Sequence, residues 1–191
     1  MQGSLLRSVF FVGVALSITA CSSDGGGSTN TASNSGETSP EQRKEGMKFV
    51  AAAYKLRTEG KMPESLVEID KAIAIDKNNY YAWQLRGDIN SVMNKSEDAI
   101  EDLNKAIELK PNDAALIYAR GKYEGQARKF DDALKDAQKA VSLDPKNMNA
   151  LRLRSVCYFK SGDKKRSAAD DREYQRLARS NARVIPVNSM Q

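Results

Sequence analysis

The chain has 191 residues, 30 of them Lys or Arg and 25 Asp or Glu, and it contains no histidine. That absence removes Ser-His-Asp and Cys-His nucleophile activation and every histidine-ligated metal site. The low aromatic content, 7%, beside 29% charged residues suits helices better than strands.

The net charge of +5 is unevenly spread. Residues 21–149 are mixed and slightly acidic, and the basic excess lies beyond residue 150. No basic stripe runs through the body, which argues against nucleic acid as a partner. Carboxylate and lysine chemistry remain available in principle, but no spacing singles out a catalytic set. The expectation is a protein that is not an enzyme and holds no metal or cofactor.

Arg7 precedes a short apolar run from Val9 to Leu16, and Ile18-Thr19-Ala20-Cys21 follows. A basic residue, a short apolar core and small residues before a cleavage point describe a secretory signal over residues 1–20. The run is too short to span a bilayer as a helix, which takes about 20 residues. Residues 21–38 are rich in Ser, Gly, Thr and Asn and nearly free of apolar side chains, so they read as a flexible linker. A coil of that length has a typical span of about 25 Å, and drawn out it reaches roughly 60 Å. Ile18-Thr19-Ala20-Cys21 resembles the lipobox of bacterial lipoproteins. The resemblance implies cleavage before Cys21, a covalent lipid on its thiol and acylation of the new amino terminus. Ser22, rather than Asp, follows the cysteine. By the same resemblance this favours the periplasmic side of the outer membrane over the inner membrane. Cys157, the second cysteine, then has no intrachain partner, and packing alone must hold the fold.

From residue 39 the sequence becomes amphipathic. Ser39-Pro40-Glu41-Gln42 reads as a helix start, with Ser39 at the N-cap, Pro40 at the first position and Gln42 closing a capping box. It opens a helix to about Thr58. From Tyr80 the chain nearly repeats every 34 residues: Gly87 recurs as Gly121, Ala99 as Ala133, Ala106 as Ala140 and Pro111 as Pro145. Each unit reads as two amphipathic helices. The stretch from Glu97 to Pro111, with Trp83 and Gly87 ahead of it, resembles a tetratricopeptide repeat. The resemblance implies an all-α, right-handed superhelical stack over residues 39–182. Its units fall at about 46–79, 80–113, 114–147 and 148–181, and a tail follows at 183–191. The fourth unit is degenerate: Tyr174 stands in place of the small signature residue and Asp171 in place of an apolar one. Its polar second helix reads as the soluble cap a terminal repeat needs.

A further recurrence lies outside the family pattern. Arg86 and Asp102, Arg120 and Asp136, and Arg154 and Asp170 share one spacing, while the first unit has Ala52 and Glu68 there. Either these are solvated charges of common ancestry, or they bridge the two helices of units two, three and four. Mostly exposed pairs would contribute under ~1 kcal/mol each. The acidic pairs Glu101-Asp102, Asp131-Asp132 and Asp170-Asp171 are placed at the starts of second helices, where they favour the helix dipole.

Tetratricopeptide proteins bind peptides or protein surfaces on the concave face of the first helices, at the second, fifth, ninth, twelfth and thirteenth positions of each unit. Carried over, these supply Tyr54, Arg57, Tyr81, Gln84, Asp88, Tyr118, Lys122, Gln126 and Arg152, with Asn149, Phe159 and Lys160 beside them. For Tyr54 and Phe159 a scaffold role is as well supported as contact. Val50 and Tyr54 occupy positions where chaperone-binding relatives carry Lys and Asn, so a chaperone-tail receptor is not expected. The resemblance implies a non-catalytic adaptor with a protein or peptide partner in the cell envelope, as in assembly of pilus, secretion or cell-envelope machinery. The alternative is a structural protein that meets cell wall or membrane through its basic C-terminal end. A Cys21→Ser chain is expected to lose metabolic fatty-acid labelling and partition away from membranes on fractionation; acyl label retained on the Ser variant would contradict lipidation at Cys21.

Overall fold

The computed structural model describes residues 38–182. The signal segment, Cys21 and all of the linker but Thr38 lie outside the described residues, as does the tail 183–191. Eight helices follow in order: α1 (Pro40–Thr58), α2 (Met62–Ile75), α3 (Tyr80–Val92), α4 (Ser96–Leu109), α5 (Ala114–Gln126), α6 (Phe130–Leu143), α7 (Met148–Lys160) and α8 (Lys164–Ala182). Odd and even helices pair as hairpins, and each hairpin packs on the next. Among the described residues every regular element is helical.

Side chains set where the first helices begin. Ser39 and Gln42 exchange a full capping box at the head of α1, with Pro40 in the first turn. Asn79, Asp113 and Asn147, one repeat apart, each accept from backbone N–H groups in the first turn of α3, α5 and α7. The turn inside each unit is equally periodic. Lys61, Lys95, Lys129 and Asp163 donate their N–H to carbonyls five residues back. Gly60, Asn94, Arg128 and Gly162, just before them, have φ of 79°, 60°, 62° and 86°. This is a left-handed C-terminal cap. Gly is the natural occupant and Asn a tolerated one, whereas Arg128 carries a Cβ into a region that penalises it.

Small residues let the helices of a hairpin close. Ala53, Ala82, Ala99, Ala106, Ala133 and Ala140 are fully buried. A Cβ on Gly87 would lie 2.4 Å from Leu103 Cδ2, and one on Gly121 would lie 2.9 Å from Asp136 Cβ. Around these contacts lie three apolar clusters, centred on Val50, Ile69 and Ile89, on Leu103, Leu116 and Tyr123, and on Ile117, Leu151 and Leu177. Cys157 is buried, and that burial pushes its thiol pKa up, with the nearby Glu124 charge adding to it. It is therefore a protonated packing group.

One detail departs from expectation. Only Asp131-Asp132 lies in a first turn; Glu97 and Asp98 fill that role in α4, and Glu101-Asp102 and Asp170-Asp171 sit further along their helices. The helices of one row approach each other unequally. α1 touches α3 and α5 touches α7, with no comparable contact between successive second helices. The stack therefore curves with the first helices inside.

The strained cap gives a clear expectation. Arg128→Gly should raise stability by about 0.5–1 kcal/mol, the relief of a left-handed non-glycine residue less the added freedom of the unfolded chain. Thermal melting should move up by roughly 2–4 °C. A lower melting temperature would show that the Arg128 side chain supplies more than its backbone costs.

Candidate functional site

The recurrent arginines lie at the middle of α3, α5 and α7; each reaches forward within its unit, and Arg86 and Arg120 also reach back. Arg86 donates to Asp102 from Nε at 2.9 Å and from Nη2 at 2.6 Å. Arg120 meets Asp136 through two bonds of 2.7 Å, and Arg154 meets Asp170 at 2.8 and 2.7 Å. The third guanidinium nitrogen serves the unit before: Arg86 Nη1 donates to Asp70 and Arg120 Nη1 to Asn104, both at 2.8 Å. At the last joint Gln138 donates instead to the Tyr158 hydroxyl at 3.1 Å.

These pairs are not the mostly exposed ones the spacing suggested. Asp102, Asp136 and Asp170 are buried, because each projects from an even helix into the hairpin seam. Burial raises the Asp102 pKa against the lowering effect of Arg86, while bonds to Asp136 and Asp170 hold Arg120 and Arg154 above the usual arginine value. Such pairs add little over an apolar substitute, but removing one partner strands a buried charge at a cost of roughly 3–5 kcal/mol. They are structural, and they fix the register of units two to four.

The proposed contact residues fall into two groups. Some are spent inside the scaffold. Arg57 Nη1 is 3.8 Å from Asp88, with its guanidinium 5.3 Å from the Tyr54 ring centre. Asp88 also accepts from the Tyr123 hydroxyl, and Ser91 donates to Gln126 at 2.9 Å. Arg57, Asp88 and Gln126 therefore join units one, two and three to one another, and they are not free contact groups. Tyr118 is half-buried against the Ile117 and Leu151 cluster. The remainder face outward: Tyr54 and Tyr81 are exposed at 47% and 38%, Lys122 and Arg152 are exposed, and Gln84 is half-buried. Asn149, Phe159 and Lys160 are exposed as well.

The same face carries Met47, Val92 and Val156, exposed at 49%, 56% and 45%. Sequence reasoning passed over them, although the 34-residue register puts them on family contact positions. It also passed over Tyr123, whose hydroxyl pKa is driven far up by burial and then by its bond to Asp88. Among the described residues no group of three acidic, cysteine or histidine side chains is placed to hold a metal ion, and no helix is long and apolar enough to cross a membrane.

Among the described residues Glu124 is the one buried acid with an unpartnered oxygen. It is 8% exposed, its Oε2 has no partner, and Arg120 Nε stands 3.9 Å away, already committed to Asp136. Burial, with the Asp136 charge beside it, raises its pKa from 4.5 to about 7.

Comparison with known proteins adds the family. Two models described as tetratricopeptide repeat match residues 80–113 and 118–182. No curated protein sequence matches the chain. Among solved structures, a crystal structure of MamA aligns at a TM-score of 0.69 and 17% identity, over 72% of this chain and 81% of that one. MamA of Desulfovibrio magneticus RS-1 aligns at 0.63 and 21%, over 75% and 78%. Pseudomonas aeruginosa pilF aligns at 0.65 and 16%, over 72% of this chain and 63% of its own.

The Glu124 environment sets a pH dependence. A carboxyl whose folded pKa is raised contributes stability while protonated and loses it as pH rises through the folded value. Between pH 4.5 and 7 the chain should therefore lose on the order of 3 kcal/mol through this group. Urea midpoints at pH 5 and pH 8 should differ for the native chain and draw together in Glu124→Gln. An unchanged difference in the variant would place the pH dependence elsewhere.

Proposed function

We propose that this stack of tetratricopeptide repeats is a non-catalytic adaptor, held by a lipid on Cys21 at the periplasmic side of the outer membrane, that presents its first-helix face to a protein partner in envelope assembly. The observation that carries the binding reading is the run of exposed apolar and basic side chains along α1, α3, α5 and α7 on the inside of the curve. Met47, Tyr54, Tyr81, Val92, Val156 and Phe159 leave large apolar surface in solvent on the side where the stack is concave. Exposed apolar residues gathered on one concave face are a contact surface. The tetratricopeptide fold supports a protein-interaction scaffold. Support for the membrane and envelope setting comes from the sequence before residue 38: the short apolar run, Ile18-Thr19-Ala20-Cys21 and the polar tether.

The reading through a basic C-terminal end has less behind it. Arg166 is bonded to Asp163, just before α8, and Arg176 to Glu173 within it, which neutralises half of the arginines on α8. Arg172 and Arg179 remain.

Tyr118 is a poor probe of the face because its removal also opens the core. Tyr81→Ala with Gln84→Ala is the cleaner variant. It should keep its helicity and melting temperature and lose the partner captured by crosslinking in intact cells and mass spectrometry. If capture persists in that variant but is lost in Arg172→Ala with Arg179→Ala, the C-terminal surface is the functional one.

A further inference from the structure

We infer that the partner segment is acidic, with apolar side chains flanking its carboxylates, and that Lys122 and Arg152 receive those carboxylates. The inference rests on the partner-binding reading above and adds the partner's chemistry.

Several cations of this protein are balanced locally. On the outer surface, Lys71 pairs with Glu68, Lys105 with Glu108 and Lys135 with Asp132, each one helical turn apart. The larger inward charges are balanced too: Arg86, Arg120 and Arg154 each hold a buried aspartate. On the first-helix face the balance tips to positive. Its one acid among the contact positions, Asp88, is already held by Arg57 and the Tyr123 hydroxyl. Lys122 on α5 and Arg152 on α7 are exposed and have no acidic partner among the described residues. They lie in successive units on touching helices, and the Arg152 charge partly offsets the rise that burial gives the Tyr118 hydroxyl pKa.

Apolar surface brackets the two cations. Tyr81 and Val92 lie on α3 to one side, and Val156 and Phe159 lie about one and two turns past Arg152 on α7. A segment that fills this face therefore needs negative charge at its middle and apolar side chains at its ends. A basic or uniformly polar segment would leave two cations facing like charge or unpaired beside aromatic surface, which selects against it. Tyr81 supplies contact area at little entropic cost, and the carboxylates supply orientation and a salt-dependent association rate.

The test is selection of random 12-residue peptides displayed on phage against the purified full chain, followed by fluorescence anisotropy on the enriched sequences. Lys122 and Arg152 are exposed and hold no acid, Lys122 standing 5.2 Å from the Tyr123 ring centre, so Lys122→Glu with Arg152→Glu should fold with unchanged circular dichroism. The expected result is a net-acidic, apolar-flanked consensus. Its affinity should fall at least about tenfold in that double variant, fall in Tyr81→Ala, and weaken between low and high salt. Enriched peptides that are neutral or basic yet still depend on Tyr81 would overturn the acidic assignment and leave the binding face standing. Peptides indifferent to both variants, or no enrichment at all, would overturn the face as well. Vesicles of phosphatidylglycerol are the control for anionic lipid. Tight binding to them that is lost in the charge variant, with no acidic peptide enriched, would assign the cations to a membrane surface and end the proposal.

Discussion

Everything in this stack depends on how closely two helices of a hairpin can approach. At Gly87 and Gly121 the odd helix lies so near the even one that a methyl group would collide with Leu103 or with the Asp136 Cβ. The buried alanines extend that approach along each seam. Once the backbones are that near, an aspartate on the even helix cannot reach water and must find its counter-charge across the seam. The guanidinium one residue before each glycine stands where it is needed. The same nearness explains the left-handed caps, since a short turn must reverse the chain before the second helix can lie against the first.

The unit boundaries follow from the same geometry. Asparagine or aspartate caps at residues 79, 113 and 147 start each odd helix. The curvature that puts odd helices inside then gathers their outward residues on one surface. Residues of one type on family contact positions are not equivalent in use. Tyr81 stands in solvent, whereas Tyr118, three positions later in its own unit, props up the core beneath it. On the proposed binding face, contact therefore falls to the side chains that neighbouring repeats leave unengaged.

Much of the architecture was legible in the chain because helical repeats write their contacts at fixed spacing. The 34-residue period, the Ser39 capping box and the sixteen-residue Arg–Asp interval each correspond to a specific set of bonds. What the sequence did not disclose is what depends on a neighbour of different identity. Asp88 looks like a contact residue until Tyr123, a full repeat away, takes its carboxylate. Glu124 occupies the place that Asn90 holds in the preceding unit; Asn90 donates to Asp102, and a carboxylate in the same spot has nothing to donate. Arg128 gives no hint of a left-handed backbone, because the usual signal for one is glycine. The exposure of the Arg–Asp pairs was misjudged for the same reason: periodicity reveals that two groups meet, and only the packing around them reveals how dry the meeting place is.

The two-way reach of the arginines has a consequence for how such a chain can change length. Arg86 spans sixteen residues forward to Asp102 and sixteen back to Asp70, and Arg120 does the same with Asp136 and Asn104. Every joint is therefore written within less than one period on either side of its guanidinium. Excision of residues 80–113 would bring Arg120 opposite Asp70, a carboxylate where it now meets an amide, and the seam would close with its bonding scheme intact. Duplication of the same stretch would copy the joint along with the helices. Gain or loss of a whole repeat by recombination thus preserves the arginine ladder, although excision of residues 80–113 would also replace Asp88 by Lys122 opposite Arg57, whereas an insertion of any other length between an arginine and one of its partners would break that joint.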